Sequence, residues 1–229
     1  MDTPVNPLEP AFVQSSVPIL RLAEPILVRG YGQLLVGIQP LIYGQPTCPF
    51  DPAHLMELYW RLLPIHLLPR VRAILVQESE RTGKAVGLLL QQLNRPEAVR
   101  AILRRHPDRA RQLHATVDAW AEAGVQFIHR LQQDWPQLCR HFAGGDSLGL
   151  PTQVERHQPS ATGLAADEVA GPAALCIHFV NPTNGVAVRL IYEPQAQDVC
   201  PCEIGAGPPV ADRPALYRGP YAWRQEHGP

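Results

Sequence analysis

Charged residues are few in this chain, and the two signs nearly cancel. Of its 229 residues, 18% are Asp, Glu, Lys or Arg, and the formal net charge is −1. Without an excess of positive charge, the chain has no field that would attract a nucleic acid or an anionic membrane surface. The sequence therefore predicts neither a nucleic-acid partner nor a membrane partner.

Export and membrane-insertion signals are also missing from the sequence. The first ten residues, MDTPVNPLEP, are acidic and proline-rich, whereas a signal peptide begins with basic residues and an apolar run. Arg21, Glu24 and Pro25 interrupt the apolar stretch VPILRLAEPILVRG before it reaches the ~20 residues of a membrane span. The five cysteines, an odd number, fit a reducing compartment. We therefore expect a soluble, cytoplasmic protein.

Short motifs of common chemistries are lacking as well. The sequence has no Gly-rich phosphate loop, no serine nucleophile elbow and no His-Glu-x-x-His zinc motif. Cys200 and Cys202 form a Cys-Pro-Cys pair without a second pair of ligands at a suitable spacing, so incidental thiols are favoured over a metal or redox site. We expect no metal site.

Apolar periodicity predicts helices in the first part of the chain. In residues 108–142, apolar residues recur at steps of three and four, which predicts a long helix that is kinked or interrupted near Pro136. Residues 17–38 predict one helix that Pro25 weakens. Asp51 is typical of an N-cap, since a proline follows it at the first helical position.

The pattern changes after about residue 145. The segments TQVERH, AALCIHF and VAVRLIY predict three short strands, and VNPTNG predicts an antiparallel hairpin turn between the last two. We therefore expect an α+β fold with a helical N-terminal block to about 145, followed by a small antiparallel sheet. Residues 1–16 are expected to be disordered, and 196–229 to form an irregular tail rich in Pro and Gly.

The candidate site residues in this sequence are three carboxylates. The alternation in GVAVRLIYEPQ places Glu193 on the same strand face as Arg189 and Ile191, and Pro194 should end the pairing. Asp167 and Glu168 are adjacent on a loop. Because neighbours on an extended chain point in opposite directions, these two make a poor acid–base pair.

Four segments together resemble a known family: ILVQESERTGKAVGLLLQQL, ILRRHPDRARQL followed by DAW, FIHRLQQDWPQLCRHF, and AALCIHFVNPTNGVAVRLIYEPQ. Their order and spacing resemble the N-terminal part of the dehydratase domain of type II lanthipeptide (lantibiotic) synthetases, the LanM family. The resemblance covers most of residues 50–195, so we interpret 17–195 as a partial dehydratase-like domain. YRGPYAWRQE resembles a later Tyr-Gly-Trp-x-Glu segment of the family. This implies that the stretch between residue 195 and this segment is shorter here than in the family.

The resemblance implies a fold and an activity. The family's dehydratase domain is similar to lipid kinases, and it uses ATP and Mg²⁺ to phosphorylate Ser and Thr of a precursor peptide before eliminating the phosphate. A separate zinc-dependent cyclase domain then adds cysteine thiols to the products. The family's strand before the active site ends in Tyr-Lys-Pro-Arg, and its Lys holds the ATP phosphates.

This chain departs from the family pattern at the strand end. Glu193 stands at the Lys position and Gln195 at the Arg position. A carboxylate repels a triphosphate, and two unit charges ~4 Å apart interact by about 4 kcal/mol at an effective dielectric constant near 20. We therefore expect no nucleotide cofactor, with ATP and Mg²⁺ bound only if the family site survives.

A second departure concerns the family's Ser-Asp-x-His-x-Gly-Gly-Arg loop, which corresponds to AADEVAGP. The Asp position is Ala166, the His position is Glu168 and the Arg position is Pro172, so that only Gly171 is kept. The later catalytic segments and the cyclase domain have no room in 229 residues.

Three functional hypotheses follow. The first is a truncated, degenerate dehydratase-like protein without catalytic activity of its own, either a remnant or a retained pseudoenzyme. The second is an interaction module that binds a Ser/Thr/Cys-rich precursor peptide or a full-length synthetase, with exposed strand edges available for pairing. The third is an enzyme that uses Asp167, Glu168 and Glu193 around a metal.

Overall fold

Helices form the first part of the described chain, and an antiparallel sheet follows. The computed structural model describes residues 18–44, 48–157, 174–194, 215–218 and 221–225. Within these residues, a short 3₁₀-helix precedes six α-helices: Pro18–Leu22, then α1 (Glu24–Tyr43), α2 (Pro52–Trp60), α3 (Leu63–Thr82), α4 (Val86–Gln92), α5 (Pro96–Arg105) and α6 (Pro107–Phe142). The predicted α+β class and the end of the helical block near residue 145 are confirmed.

Proline and a capping aspartate mark the starts of three helices. Asp51 Oδ1 accepts hydrogen bonds from the N–H groups of Ala53 (2.9 Å) and His54 (3.3 Å), and so caps α2 as the sequence predicted. Pro64 and Pro96 stand in the first turns of α3 and α5, where the N–H that proline lacks would have had no helical partner. Local chemistry therefore sets these boundaries.

Two predicted helices differ from the structure. The single helix predicted over residues 17–38 is wrong, because a 3₁₀-helix (Pro18–Leu22) is followed by α1 from Glu24. α1 continues past residue 38 to Tyr43, and Pro25 lies in its first turn, where proline is tolerated. α6 is uninterrupted at Pro136, which corrects the expected interruption. Trp135 and Leu138, on either side of this proline, are both buried, so packing of the apolar stripe holds the helix through it.

The chain divides into two compact units. The first comprises Trp60–Gly124 with the described residues up to Gly37, and the second comprises Ile38–Tyr59 with the described residues from Val125 onward. Residues of α1 and α6 thus contribute to both units. Among the described residues, no helix combines the length and the apolar character that crossing a membrane requires.

Close helix packing in the first unit depends on a glycine. A Cβ atom at Gly30 of α1 would lie 2.2 Å from Cγ1 of Val117 and 3.0 Å from Cη2 of Trp60. The rings of His66 and Trp120 pack in the same unit, with their centroids 5.4 Å apart. A larger residue at position 30 would therefore have to displace the buried side chains of Val117 and Trp60.

A buried carboxylate joins three basic side chains in the first unit. Glu78 of α3 is 1% exposed. Its carboxylate oxygens lie 2.9 Å from Nη2 of Arg81, 2.8 Å from Nη2 of Arg105 and 3.0 Å from Nε2 of His106. Burial raises the pKa of Glu78, but the hydrogen bonds from these three residues outweigh it and lower the pKa to about 2. Glu78 is therefore a charged link between α3 and the end of α5.

The second unit contains a sheet whose described strands are all antiparallel. Their order is β1-β2-β3-β5-β4, with β1 (Leu150–Arg156), β2 (Leu175–Val180), β3 (Ala187–Glu193), β4 (Ala215–Arg218) and β5 (Tyr221–Gln225). The three predicted strands and the β2–β3 hairpin are confirmed. In the turn, Asn181 N–H donates to the Val186 carbonyl (2.9 Å), and Gly185 takes a φ of 69° that favours glycine.

Two of these strands lie in the stretch 196–229, which the sequence predicted to be irregular. That prediction is wrong for β4 and β5, which have four and five residues. β5 pairs with β3 from Glu193 opposite Ala222 to Leu190 opposite Gln225. A strand this short carries too little alternation to be recognised, and its pairing with β3 is what makes it a strand.

Candidate functional site

One face of the sheet carries Glu193 at the end of β3. Directly opposed residues of paired strands share a face, and so do residues two apart on one strand. The register therefore defines the Glu193 face, which includes Gln153, Glu155, Cys176, His178, Arg189, Ile191, Glu193, Ala222 and Arg224. The predictions that Glu193, Ile191 and Arg189 share a face and that β3 ends before Pro194 are confirmed.

Glu193 forms an ion pair across the sheet. Its Oε2 lies 3.3 Å from Nη2 of Arg224, which is diagonal to it on β5. The two side chains are 29% and 39% exposed, so the pair is partly screened by solvent and contributes at most about 1 kcal/mol to stability. The carboxylate that ends the strand thus meets a cation from a distant part of the chain.

The opposite face of β3 is apolar and holds Tyr192. This side chain is 2% exposed, and its ring packs against Phe127 and Trp223 at centroid distances of 5.3 and 4.9 Å. Arg130 Nη1 donates to the Tyr192 hydroxyl at 2.5 Å. Burial raises the pKa of Tyr192 although Arg130 opposes the shift, so this hydroxyl stays protonated at neutral pH.

Asp134 of α6 anchors β5 from the same side. It is 4% exposed, and its Oδ2 accepts hydrogen bonds from the Tyr221 hydroxyl and from Trp223 Nε1, both at 2.9 Å. The Arg130 guanidinium lies over the Tyr221 ring, 4.4 Å from its centroid. Sequence reasoning did not select Asp134, because its partners lie 87 and 89 positions away.

Three ligand-type side chains meet elsewhere on the Glu193 face. Glu155, Cys176 and His178 each offer one atom, and these atoms all lie within 4.8 Å of one another. The sequence gave no metal motif here, since Glu155 and His178 are 23 positions apart. The pairing of β1 with β2 is what brings them together.

Of the three carboxylates predicted from the sequence as site residues, the structure describes Glu193 alone. Asp167 and Glu168 lie outside the described residues, as do Cys200 and Cys202. Glu193 is described, and its partner is Arg224.

Five residues near β1 match a serine-hydrolase string without its structural context. The letters Gly-Asp-Ser-Leu-Gly, residues 145–149, fit Gly-x-Ser-x-Gly, but the segment follows a helix and precedes a strand, whereas a nucleophile elbow joins a strand to a helix. Ser147 Oγ accepts a hydrogen bond from the Gly149 N–H at 3.1 Å, and the Ser147 carbonyl accepts one from Asn181. Ser147 is therefore a turn residue.

The Glu193 face thus carries a carboxylate in an ion pair and, separately, three side chains of the kinds that bind metal ions: Glu155, Cys176 and His178. At the end of β3, the Glu193 carboxylate pairs with the Arg224 guanidinium. Comparisons of the chain with models of protein families, with curated proteins and with solved structures each give no match.

Proposed function

We propose that this protein is a dehydratase-like protein of lanthipeptide biosynthesis, similar to the N-terminal part of a LanM dehydratase domain and without catalytic activity of its own. The proposal includes a fold similar to the N-terminal part of a lipid-kinase-like domain and a cytoplasmic location, with a precursor peptide or a full-length synthetase as partner. The resemblance supplies the family, and the ion pair between Glu193 and Arg224 is the observation that supports the absence of catalytic activity.

Charge at the end of β3 argues against nucleotide binding. Phosphoryl transfer needs cations that hold the ATP phosphates, and the resemblance puts that task at position 193. Glu193 has the opposite sign. Arg224 supplies a cation nearby, but turning it toward a phosphate would leave the Glu193 carboxylate unpaired beside the same anion. The site therefore favours a structural ion pair over a bound triphosphate.

The segments that carry the resemblance also fall on regular elements. ILVQESERTGKAVGLLLQQL covers the end of α3 and the whole of α4, and FIHRLQQDWPQLCRHF forms the last part of α6. The fourth segment contains the β2–β3 hairpin. These segments therefore lie in regular elements of the described chain, as the proposal requires.

Thermal unfolding with and without nucleotide tests the proposal. We expect the same Tm for the full chain alone, with Mg²⁺ and with MgATP, and no transfer of labelled γ-phosphate to a Ser/Thr-rich peptide. A ligand in 100-fold excess over its Kd would add about 2.7 kcal/mol of stability. A saturable rise in Tm that only MgATP produces would overturn the absence of a nucleotide site. Phosphate transfer would instead favour the hypothesis of a working enzyme.

A peptide-binding module is the second candidate, and a groove in the first unit favours it. This α3 groove is open to solvent and has a volume of about 1100 Å³, and its apolar wall includes Ile19, Leu68, Ala73, Leu75, Val76 and Val86. Val76 and Val86 are 41% and 36% exposed. Grooves of this size with mostly apolar walls are typical of binding sites.

Matched valine substitutions test the α3 groove. We expect a fluorescent Ser/Thr/Cys-rich precursor peptide to bind, and V76D to weaken the binding on the order of tenfold, because a carboxylate would be placed in the apolar wall. The control is V186D, since Val186 is 52% exposed in the turn before β3, outside the groove. Equal binding by both variants would rule out the groove as the peptide site.

A further inference from the structure

The backbone of β1 and β2 gathers three different metal-ligand types on the Glu193 face. Glu155 is the cross-strand partner of Cys176, so their side chains start close together on one face. His178 follows Cys176 by two residues on β2 and points to the same side. Regular strand geometry, without help from a flexible loop, thus brings a carboxylate, a thiol and an imidazole together.

The three ligand atoms lie close enough together to reach one small tetrahedral ion. The three ligand atoms lie within 4.8 Å of one another, and Nε2 of His178 is 2.6 Å from Oε1 of Glu155. Zinc bonds of ~2.0–2.3 Å at tetrahedral angles require ligand separations of about 3.4–3.6 Å. Opening the Glu155–His178 contact by about 1 Å would meet this requirement for that pair, and the thiol already lies no more than 4.8 Å from either atom.

Exposure increases in order from the thiol to the carboxylate. Cys176 is 2% exposed, whereas the side chains of His178 and Glu155 are 17% and 45% exposed. An ion would therefore rest on the sulfur and be reached from solvent past the carboxylate. Gln153 Nε2 contacts Oε2 of Glu155 at 3.4 Å, which orients this carboxylate and leaves its Oε1 toward the histidine.

We propose that Glu155, Cys176 and His178 bind one Zn²⁺ ion, with a fourth position open to water. A thiolate with an imidazole selects zinc over Mg²⁺ or Ca²⁺, which prefer oxygen ligands. The thiolate and the carboxylate would neutralise the two charges of the ion. Arg189, the cross-strand partner of His178, is exposed. This site does not depend on the proposed function.

Cobalt substitution tests the site in the full chain. The background variant C200A/C202A removes the Cys-Pro-Cys pair, a competing source of thiolates. After removal of metal by a chelator under reducing conditions, we expect one equivalent of Co²⁺ to give a thiolate-to-cobalt charge-transfer band and the intense visible bands of tetrahedral coordination. One equivalent of Zn²⁺ should abolish both. Absence of these bands in the background variant would overturn the proposal.

Two buried cysteines in the second unit provide a matched comparison. C176S should lose the charge-transfer band, whereas C139S should keep it, because Cys139 is buried on α6 outside the group. H178Q and E155Q should each weaken zinc binding, by on the order of 100-fold or more for the histidine. Glu155 is exposed enough for E155Q to fold even if C176S does not. Unchanged zinc affinity in H178Q and E155Q would overturn the site.

Discussion

At the scale of the residue, the burial and the partners of two carboxylates could not be predicted from the residues next to them in the sequence. Glu78 and Asp134 are 1% and 4% exposed, and each is satisfied by partners that the fold brings in. Two partners of Glu78, Arg105 and His106, lie 27 and 28 positions away in the sequence. A buried carboxylate without such partners would be destabilising by several kcal/mol, so these pairings are conditions for the fold.

The first prediction concerns the Glu78 cluster. We expect E78Q to lower the free energy of unfolding by about 2 kcal/mol, because Arg81, Arg105 and His106 lose a charged acceptor. The two arginines are partly exposed and can be rehydrated, which limits the loss. Urea unfolding measures it, with E80Q on the exposed face of α3 as the control. Equal stability of the two variants would contradict the prediction.

The same residue makes a pH prediction. The pKa of Glu78 is lowered from 4.5 to about 2 on folding, so its contribution is fully present above about pH 4.5 and is lost as the pH falls toward 2. The wild-type protein should therefore lose more stability than E78Q over this interval. Carboxylates common to both proteins cancel in the comparison. Parallel stability curves from pH 5 to about pH 2 would contradict the lowered pKa.

At the scale of the element, β5 shows how tertiary contacts define a strand. Tyr221-Ala-Trp-Arg-Gln contributes one side chain to the Glu193 ion pair and two to Asp134. Ala222 and Trp223 are both fully buried. This short strand is therefore fixed by partners on both of its faces as well as by its backbone pairing with β3.

The second prediction tests the anchoring of β5. Y221F removes the hydroxyl that donates to Asp134 and should lower the free energy of unfolding by about 1.5 kcal/mol, as is typical of a hydrogen bond to a charged group. Y43F is the control, since Tyr43 is 80% exposed and should tolerate the change within about 0.5 kcal/mol. Chemical denaturation measures both. A loss no larger than that of the control would show that the hydroxyl is dispensable.

The third prediction tests the ion pair between β3 and β5. E193K would place two cations on adjacent strands and should lower stability by about 1 kcal/mol. The double variant E193K/R224E restores opposite charges and should recover at least half of the loss. A double-mutant cycle in urea measures the coupling. If the double variant is no more stable than E193K, the pair does not contribute.

At the scale of the whole molecule, charge balance limits the partners. The chain has 20 basic and 21 acidic side chains. We expect no retention on heparin at ~0.15 M salt, where fields between exposed charges are screened beyond about 8 Å. Cytochrome c, a basic protein, serves as the positive control for the column. If the chain described here, like cytochrome c, elutes only at higher salt, its surface carries a basic patch that the balanced net charge does not reveal.

Much of the fold could be predicted from the sequence where the signal is local. The cap at Asp51, the apolar stripe of α6 and the β2–β3 hairpin each depend on residues close together in the chain. The site was less predictable. The face that carries Glu193 followed from alternation along one strand, whereas its partner Arg224 did not, because the two residues meet only when β5 joins the sheet.

The sequence by itself determined the class of the fold, since periodicity and turn residues act over a few positions. Tertiary structure alone decided that β4 and β5 are strands, that α6 continues through Pro136, and that Glu155 lies beside Cys176 and His178. Each of these outcomes depends on pairing or packing between distant segments. A pattern of neighbours carries no information about which distant residue will supply the hydrogen bond, the charge or the metal ligand.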